Sequence, residues 1–436
     1  MLRITSAILG LWLSTHGNAA PISLEQEVAQ TLATNPNIIR QYQELQSRIQ
    51  GIDEAKAGYL PTLDLEAGAG YQTIDNRNTR ITGDDEFNPS NVTLTLRQYL
   101  FQGFDTSENT TRTQAEAEAQ RFQLLSDAEN IALSVSQLYL TLIRTEQVYL
   151  LSVRNRDKHQ SIYDDIAKRT RQGVGSTADL SQISARLARA NSNLIASEND
   201  WRDAQEQYQR VIGRLPNQLI RPEVDANFLP DSLEQALGQA RATNPTIFVA
   251  TQDIDAALAQ RDGAKSDFYP EVFIDVKQSW EEEYNGALGH RDDFSVMLKL
   301  RFNLFNGMAD RAEVRRLAHQ VGVAKSIRDN TFRELDEGTR LSWNAWQFTQ
   351  RQLGFLQGHV QASYDTVVAY RKQFDIGKRT LLDLLNTENE LFESRKAYLD
   401  AEYAEIEARY RVLNATGVLL DALNVERPQA WLESRR

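Results

Sequence analysis

The chain has 436 residues, with 48 basic and 60 acidic side chains, a formal charge of −12, five histidines and no cysteine. The absence of thiols excludes disulfides, thiolate metal centres, cysteine nucleophiles and a lipid-carrying cysteine. An acidic chain without basic blocks argues against nucleic acid as a partner. The scattered histidines have no ligand spacing, so no metal, cofactor or enzymatic constellation is expected.

In chain order, residues 1–19 read as a secretory signal: Arg3, an apolar run over 4–13, then Gly17, Asn18 and Ala19, with cleavage after Ala19. The run is too short to span a bilayer as a helix, and no later run is long enough. Residues 23–58 are predicted as a helix with an internal joint at Asn35-Pro36, because proline begins a fresh helical stretch better than it continues one. The period then changes to two. In "TLDLEAGAGYQTI" (62–74), Leu63, Leu65, Ala67, Ala69 and Tyr71 alternate with Asp64, Glu66 and Gln72. Residues 75–90 are expected as an exposed loop, and "NVTLTLRQYL" (91–100) as a second strand.

From Gly103 to Gly173 no proline occurs. Leu124, Ile131 and Leu138 interleave with Ala128, Val135, Leu142 and Tyr149 at coiled-coil spacing. A helix of this length spans about 105 Å at 1.5 Å per residue, longer than the core of a compact domain. After Gly173 the chain is predicted to turn and return as a helix over 176–213. One long helix then lies beside two short ones stacked end to end.

The pattern then repeats. "SLEQEVAQTLATNPNI" (23–38) answers "SLEQALGQARATNPTI" (232–247), and residues 23–61 match residues 232–270 at 15 of 39 positions. A tandem duplication of a unit of about 205 residues follows. It gives a first repeat over 20–229, a second over 230–423 and a C-terminal tail over 424–436. The second repeat supplies a helix over 232–267, strands over 272–280 and 294–305 around a loop at 281–293, a long helix from Gly307 to Gly377, and a return helix over 380–417. At the two tips, Ser176 with Asp179 and Thr380 with Asp383 fit the helix-capping pattern. Gly173 and Gly377 fit left-handed helix ends.

Strands that are apolar on one face and polar on the other, with aromatics near their ends, suit a membrane β-barrel. A soluble sheet with one wet face fits the same alternation. In lipid, four strands with open edges would leave backbone groups unsatisfied, so several copies would have to share one barrel. Two copies would supply eight strands and three would supply twelve.

These features together resemble the TolC-type outer-membrane efflux family. The resemblance rests on the duplication and on "YLP" at Pro61 and "FYP" at Pro270 as helix-to-strand joints. It rests also on "LFQG" at Gly103 and "LFNG" at Gly307 as strand-to-helix joints, and on "YRKQFDIGKRTLLDLLNTENELF" (370–392). That last stretch is similar to the branch serving type I secretion. The resemblance implies a mostly α fold with a small membrane β part. Long helical hairpins would form a periplasmic α-barrel, and four strands per protomer a trimeric twelve-stranded transmembrane barrel. It implies a homotrimer in the outer membrane lipid bilayer. The partners would be a periplasmic membrane-fusion (adaptor) protein, an inner-membrane ABC transporter or other pump, and an exported protein as cargo. A multidrug efflux role and a periplasmic coiled-coil adaptor are the alternatives. The resemblance also assigns a periplasmic gate: Asp383 as an inward-facing acidic ring, Arg379 as gate arginine and Asp179 as its partner on the neighbouring hairpin. Such a half-exposed pair is worth roughly 0–1 kcal/mol, weak enough for a docking protein to break. Asn386 stands where some members carry a second acid. Gln172, Gly173, Ile376 and Gly377 match the tips that contact the adaptor, Gln172 being polar where the family is usually apolar.

Overall fold

The structure, a computed structural model, describes residues 22–83, 86–284 and 288–433. The secretory signal expected at 1–19 lies outside the described residues. The chain is mostly helical. The first half runs α1 (Leu24–Thr34), α2 (Pro36–Lys56), β1 (Thr62–Ala69), β2 (Gln72–Thr73), α3 (Arg77–Thr82), β3 (Glu86–Phe87), β4 (Ser90–Gln102), α4 (Asp105–Arg171) and α5 (Thr177–Ile212). The second runs α6 (Leu233–Thr243), α7 (Pro245–Gly263), β5 (Glu271–Glu282), β6 (His290–Arg301), α8 (Ala309–Asp375), α9 (Leu381–Ala415), α10 (Leu419–Ala422) and α11 (Gln429–Leu432).

The two long helices, α4 and α8, each contain 67 residues. At about 1.5 Å per residue each is close to 100 Å long, as the glycine spacing predicts. Both short helical pairs break at the Asn-Pro joint. Asn35 accepts from the Asn37 amide at 2.9 Å and Asn244 from the Thr246 amide at 3.0 Å, each with proline at the first helical position.

α4 packs against α2, α5, α7 and α9, whereas α8 packs against α6, α7 and α9. The consequence is an asymmetry: 23 residues of α4 are buried and only six of α8. Of the heptad positions, Leu124, Ala128, Val135 and Leu142 are buried and Ile131, Leu138 and Tyr149 half-buried, while Ala132 and Tyr139 outside the series are buried too. α4 is thus covered on several sides rather than along one seam. A central core gathers α4, α1, the upper ends of α5 and α9, the 214–231 linker and the C-terminal segment, where Trp431 is buried.

The main sheet has the order β1-β4-β5-β6, every pair antiparallel. Three expectations about strand ends are corrected. The first strand stops at Ala69 instead of reaching 74: the Gly70 amide bonds the Pro89 carbonyl at 2.9 Å, and β2 then pairs with β3 in a separate ribbon. The segment expected as a loop over 75–90 therefore carries α3 and β3. The loop expected over 281–293 is shorter, because β5 continues to Glu282 and β6 begins at His290. The charges there are cross-strand neighbours on both faces of a strand pair: Glu281 stands opposite Arg291, and on the other face His290 contacts Glu282 and Asp292. The last strand stops at Arg301 rather than 305. Asn303 turns the chain by accepting from the Phe305 amide at 3.1 Å.

Candidate functional site

Two places carry chemistry beyond packing: the tips of the hairpins and the polar face of the sheet. At the first tip, α4 ends in a left-handed Gly173 with φ of 77°. The Val174 amide bonds the Arg169 carbonyl at 3.0 Å and the Gly173 amide bonds the Thr170 carbonyl at 3.0 Å, a Schellman end. Gly377 repeats this with φ of 73°: Lys378 bonds Gln373 at 2.8 Å and Gly377 bonds Phe374 at 2.9 Å. Gln172, Gly173, Ile376 and Gly377 all lie exposed at these two turns.

The return helices start differently. Thr380 and Asp383 form the reciprocal capping box that the spacing predicts: the Asp383 amide bonds Thr380 Oγ1 at 3.2 Å and the Thr380 amide bonds Asp383 Oδ2 at 3.3 Å. The Thr380 hydroxyl also donates to Asp383 Oδ2 at 2.8 Å. Those bonds, the hydroxyl first, hold the Asp383 carboxyl below its ordinary range. Ser176 caps α5 too, but it accepts from the Ala178 amide at 3.1 Å. The capping box expected with Asp179 is therefore not formed. Asp179 makes no hydrogen bond or ion pair among the described residues.

The remaining predicted gate residues are placed as follows. Arg379 Nε donates to Gln373 Oε1 at 2.9 Å, and its guanidinium lies over the Tyr370 ring at 4.2 Å. Both partners belong to its own hairpin, so within one chain Arg379 and Asp179 are not joined. Asn386 Oδ1 accepts from Arg186 Nη2 at 2.9 Å, across from α5 to α9. Beneath these groups a small apolar cluster of Ile162, Ile166, Ile183, Leu381 and Leu385 packs the two hairpins together. Arg186, Gln373 and Tyr370 were missed from the sequence. The signal for Arg186 was present, since it lies two helical turns beyond Asp179 and shares its face.

On the sheet, Arg97 donates to both oxygens of Asp275 at 2.7 and 3.0 Å, and Lys299 Nζ donates to Asp275 Oδ2 at 2.9 Å. This triad crosses β4, β5 and β6 on the face bearing Thr93, Thr95 and Lys277. The opposite face leaves Leu63, Leu65, Phe294, Val296, Leu298 and Leu300 exposed. No helix among the described residues is long and apolar enough to cross a membrane, so an apolar band can come only from these strands.

The four joints lie where helix and sheet meet. Pro61 and Pro270 each follow a single 3-10 turn, Ala57–Tyr59 and Ser266–Phe268, and precede a strand. Gly103 and Gly307 have φ of 59° and 73°, and Phe104 and Met308 after them are also left-handed at 74° and 70°. A Cβ on Gly103 would sit 2.5 Å from the Ser266 carbonyl oxygen, so glycine is required there by contact as well as conformation. A Cβ on Gly307 would meet nothing within 4 Å.

Comparison with known proteins agrees with this geometry. The sequence model described as "Outer membrane efflux protein" matches residues 28–214 and again 236–418. The chain is 26% identical over 367 residues to the outer membrane efflux protein BepC of Brucella suis biovar 1, covering 83% of this chain and 78% of that protein. It is 23% identical over 444 residues to the alkaline protease secretion protein AprF of Pseudomonas aeruginosa, covering 97% and 90%. Among solved structures, the Campylobacter jejuni CmeC outer membrane channel superposes with a TM-score of 0.80 at 14% identity, covering 91% of this chain and 86% of that one. The chain belongs to the outer membrane efflux protein family, whose members are TolC-like outer-membrane channels that extend into the periplasm.

Proposed function

We propose that the chain is one third of an exit duct of type I secretion, conducting exported protein passively from an inner-membrane ABC transporter through the periplasm to the outside. The observation that carries the oligomeric part is an incomplete repeat. Within the chain, β4 of the first repeat pairs with β5 of the second, α4 packs on α7, and Gly103 touches the Ser266–Phe268 turn. At the other edge the equivalent outer contacts of β6, α8 and Gly307 are not made among the described residues. β1 and β6 are exposed along their whole length. α8 leaves Ile327, Leu341, Phe348 and Phe355 exposed, the last three seven residues apart. A second copy presenting β1, α2 and its Ala57–Tyr59 turn supplies each missing partner, and a ring closes the series. Three copies give twelve strands, enough for a lumen, and a closed barrel leaves no edge in lipid.

The periplasmic tips would then meet an adaptor protein, and Asp383 would face the entrance as an acidic ring. Arg379 and Asp179, unjoined within one chain, would pair between copies. A periplasmic adaptor role outside the membrane finds no support in the family assignment.

The secretion reading draws on the similarity to AprF, whose name concerns protease secretion; the similarity to BepC favours a drug-efflux role as the second reading. Deleting the gene separates them. Loss of one or more large proteins from the culture supernatant supports secretion. An unchanged supernatant with greater sensitivity to small toxic compounds supports efflux.

A further inference from the structure

We propose that Arg186 is a further gate residue: through Asn386 it latches α5 to α9 and so holds the two hairpins of one chain together at the periplasmic entrance. The inference rests on the channel reading above. It adds Arg186, which the gate expected from Asp179, Arg379, Asp383 and Asn386 does not contain, and gives Asn386 a partner.

The return helices α5 and α9 come from different repeats, and each packs chiefly on its own long helix. Near the tips they approach each other, and Ile183 and Leu385 are fully buried there. Arg186 lies one turn after Ile183, and Asn386 follows Leu385. Their bond at 2.9 Å is the one side-chain hydrogen bond between α5 and α9 among the described residues. Arg186 has no carboxylate partner among the described residues, so its guanidinium is committed to the Asn386 carbonyl oxygen.

Arg379 cannot do the same work within the chain while its Nε is bonded to Gln373 and its plane lies on Tyr370. Two links of different reach result. Arg186–Asn386 ties hairpin to hairpin inside one copy, and Arg379 with Asp179 is left to act between copies. A single exposed hydrogen bond over a small apolar contact suits a latch. It biases the closed arrangement, and a docking protein with modest differential affinity can reverse it.

The test uses the full-length oligomer in planar bilayers. Arg186→Ala and Asn386→Ala each remove the bond, and the double variant R186E/N386R supplies a donor–acceptor pair with the roles reversed. Each single variant is expected to shift the closed-to-open ratio about fivefold toward open, equivalent to about 1 kcal/mol, and so to raise single-channel conductance. The double variant is expected to return toward wild type, a rescue that a purely structural role would not give. If R186A fails to assemble on a gel, Asn386→Ala supplies the same reading. A wild-type protein that conducts while R186A and N386A leave its conductance unmoved overturns the latch alone, as does a double variant as open as the singles. A wild-type protein that conducts no current overturns the channel reading and the latch with it.

Discussion

Asn244 joins two helices that are not consecutive in the chain. Its Oδ1 caps α7 by accepting from Thr246, while its Nδ2 donates to the Ala415 carbonyl at the end of α9, 3.0 Å away. Thr243 adds a hydroxyl bond to the Thr416 carbonyl. Gly417 closes α9 in a left-handed turn with φ of 70°, and a Cβ there would lie 2.8 Å from the Asn244 Cα. α9 and α7 therefore stack end to end beside α4 and α8, which is why the second repeat keeps "ATNP". Asn35 caps α2 in the same way, but its Nδ2 has no such partner among the described residues.

A difference between the repeats follows. Asn35→Ala removes a cap alone, at about 1 kcal/mol. Asn244→Ala removes a cap and leaves the Ala415 carbonyl short of a donor, at about 2 kcal/mol in all. Gly417→Ala adds a clash to a left-handed strain and is expected to cost more than either. Thermal midpoints of the purified protein check the order; equal midpoints for the two asparagine variants would show that the Ala415 bond contributes nothing.

Tyr208 holds a buried carboxylate. Its hydroxyl donates to Glu27 Oε1 at 2.6 Å while Arg214 donates to Oε2 at 2.9 Å, and Glu27 is 1% exposed. Burial, then the hydrogen bond to Glu27, raises the Tyr208 phenol above its usual range. Tyr208→Phe leaves the carboxylate short of one donor and is expected to cost about 1–3 kcal/mol. An unchanged melting midpoint would mean that water replaces the hydroxyl.

Glu129 gives the pH dependence a sign. Its carboxyl accepts from the Leu419 and Leu420 amides at 3.1 and 3.3 Å, fixing α10 to α4. Burial pushes it up to about 7, against the opposing pull of those amides. Because the folded value lies above the unfolded one of 4.5, the folded state binds more protons between the two. The contribution is fully present below about pH 4.5 and is lost as pH rises through about 7, by roughly 3 kcal/mol. Glu129→Gln is expected to flatten this slope in melts taken across that window; a slope identical to wild type would assign it to other groups.

Arg379 lies on Tyr370 and Gln373 and makes no ion pair with a carboxylate among the described residues. If it pairs with Asp179 of a neighbouring copy, Arg379→Ser is expected to raise single-channel conductance in planar bilayers. Unchanged conductance would count against that gate.

The helical frame was legible because it is punctuated. Proline marks where α2 and α7 begin, and Gly173 and Gly377 mark where α4 and α8 end, each by a local backbone requirement that a sequence shows directly. Strand ends were read less well. Glu281, His290, Arg291 and Asp292 looked like a loop because polar runs do, yet across β5 and β6 they are cross-strand partners, a relationship that exists only once the register is set. The central unit was not legible at all. Glu129 meets Leu419, and Tyr139 bonds the backbone of both Ile22 and Ile220. These contacts are so far apart in the chain that no local pattern announces them. At the tips, the Thr380–Asp383 box was legible from spacing, whereas the equivalent spacing at Ser176 misled: its hydroxyl accepts from the second helical amide instead of the third.

The central claim is that β1 and β6 of one chain complete their hydrogen bonding on sister copies in the membrane. Native mass spectrometry of the protein extracted from outer membranes in detergent tests this directly. An assembly of three chains that cannot be recovered without detergent is the expected result. A water-soluble single chain, with its edge strands still unpaired, would contradict it.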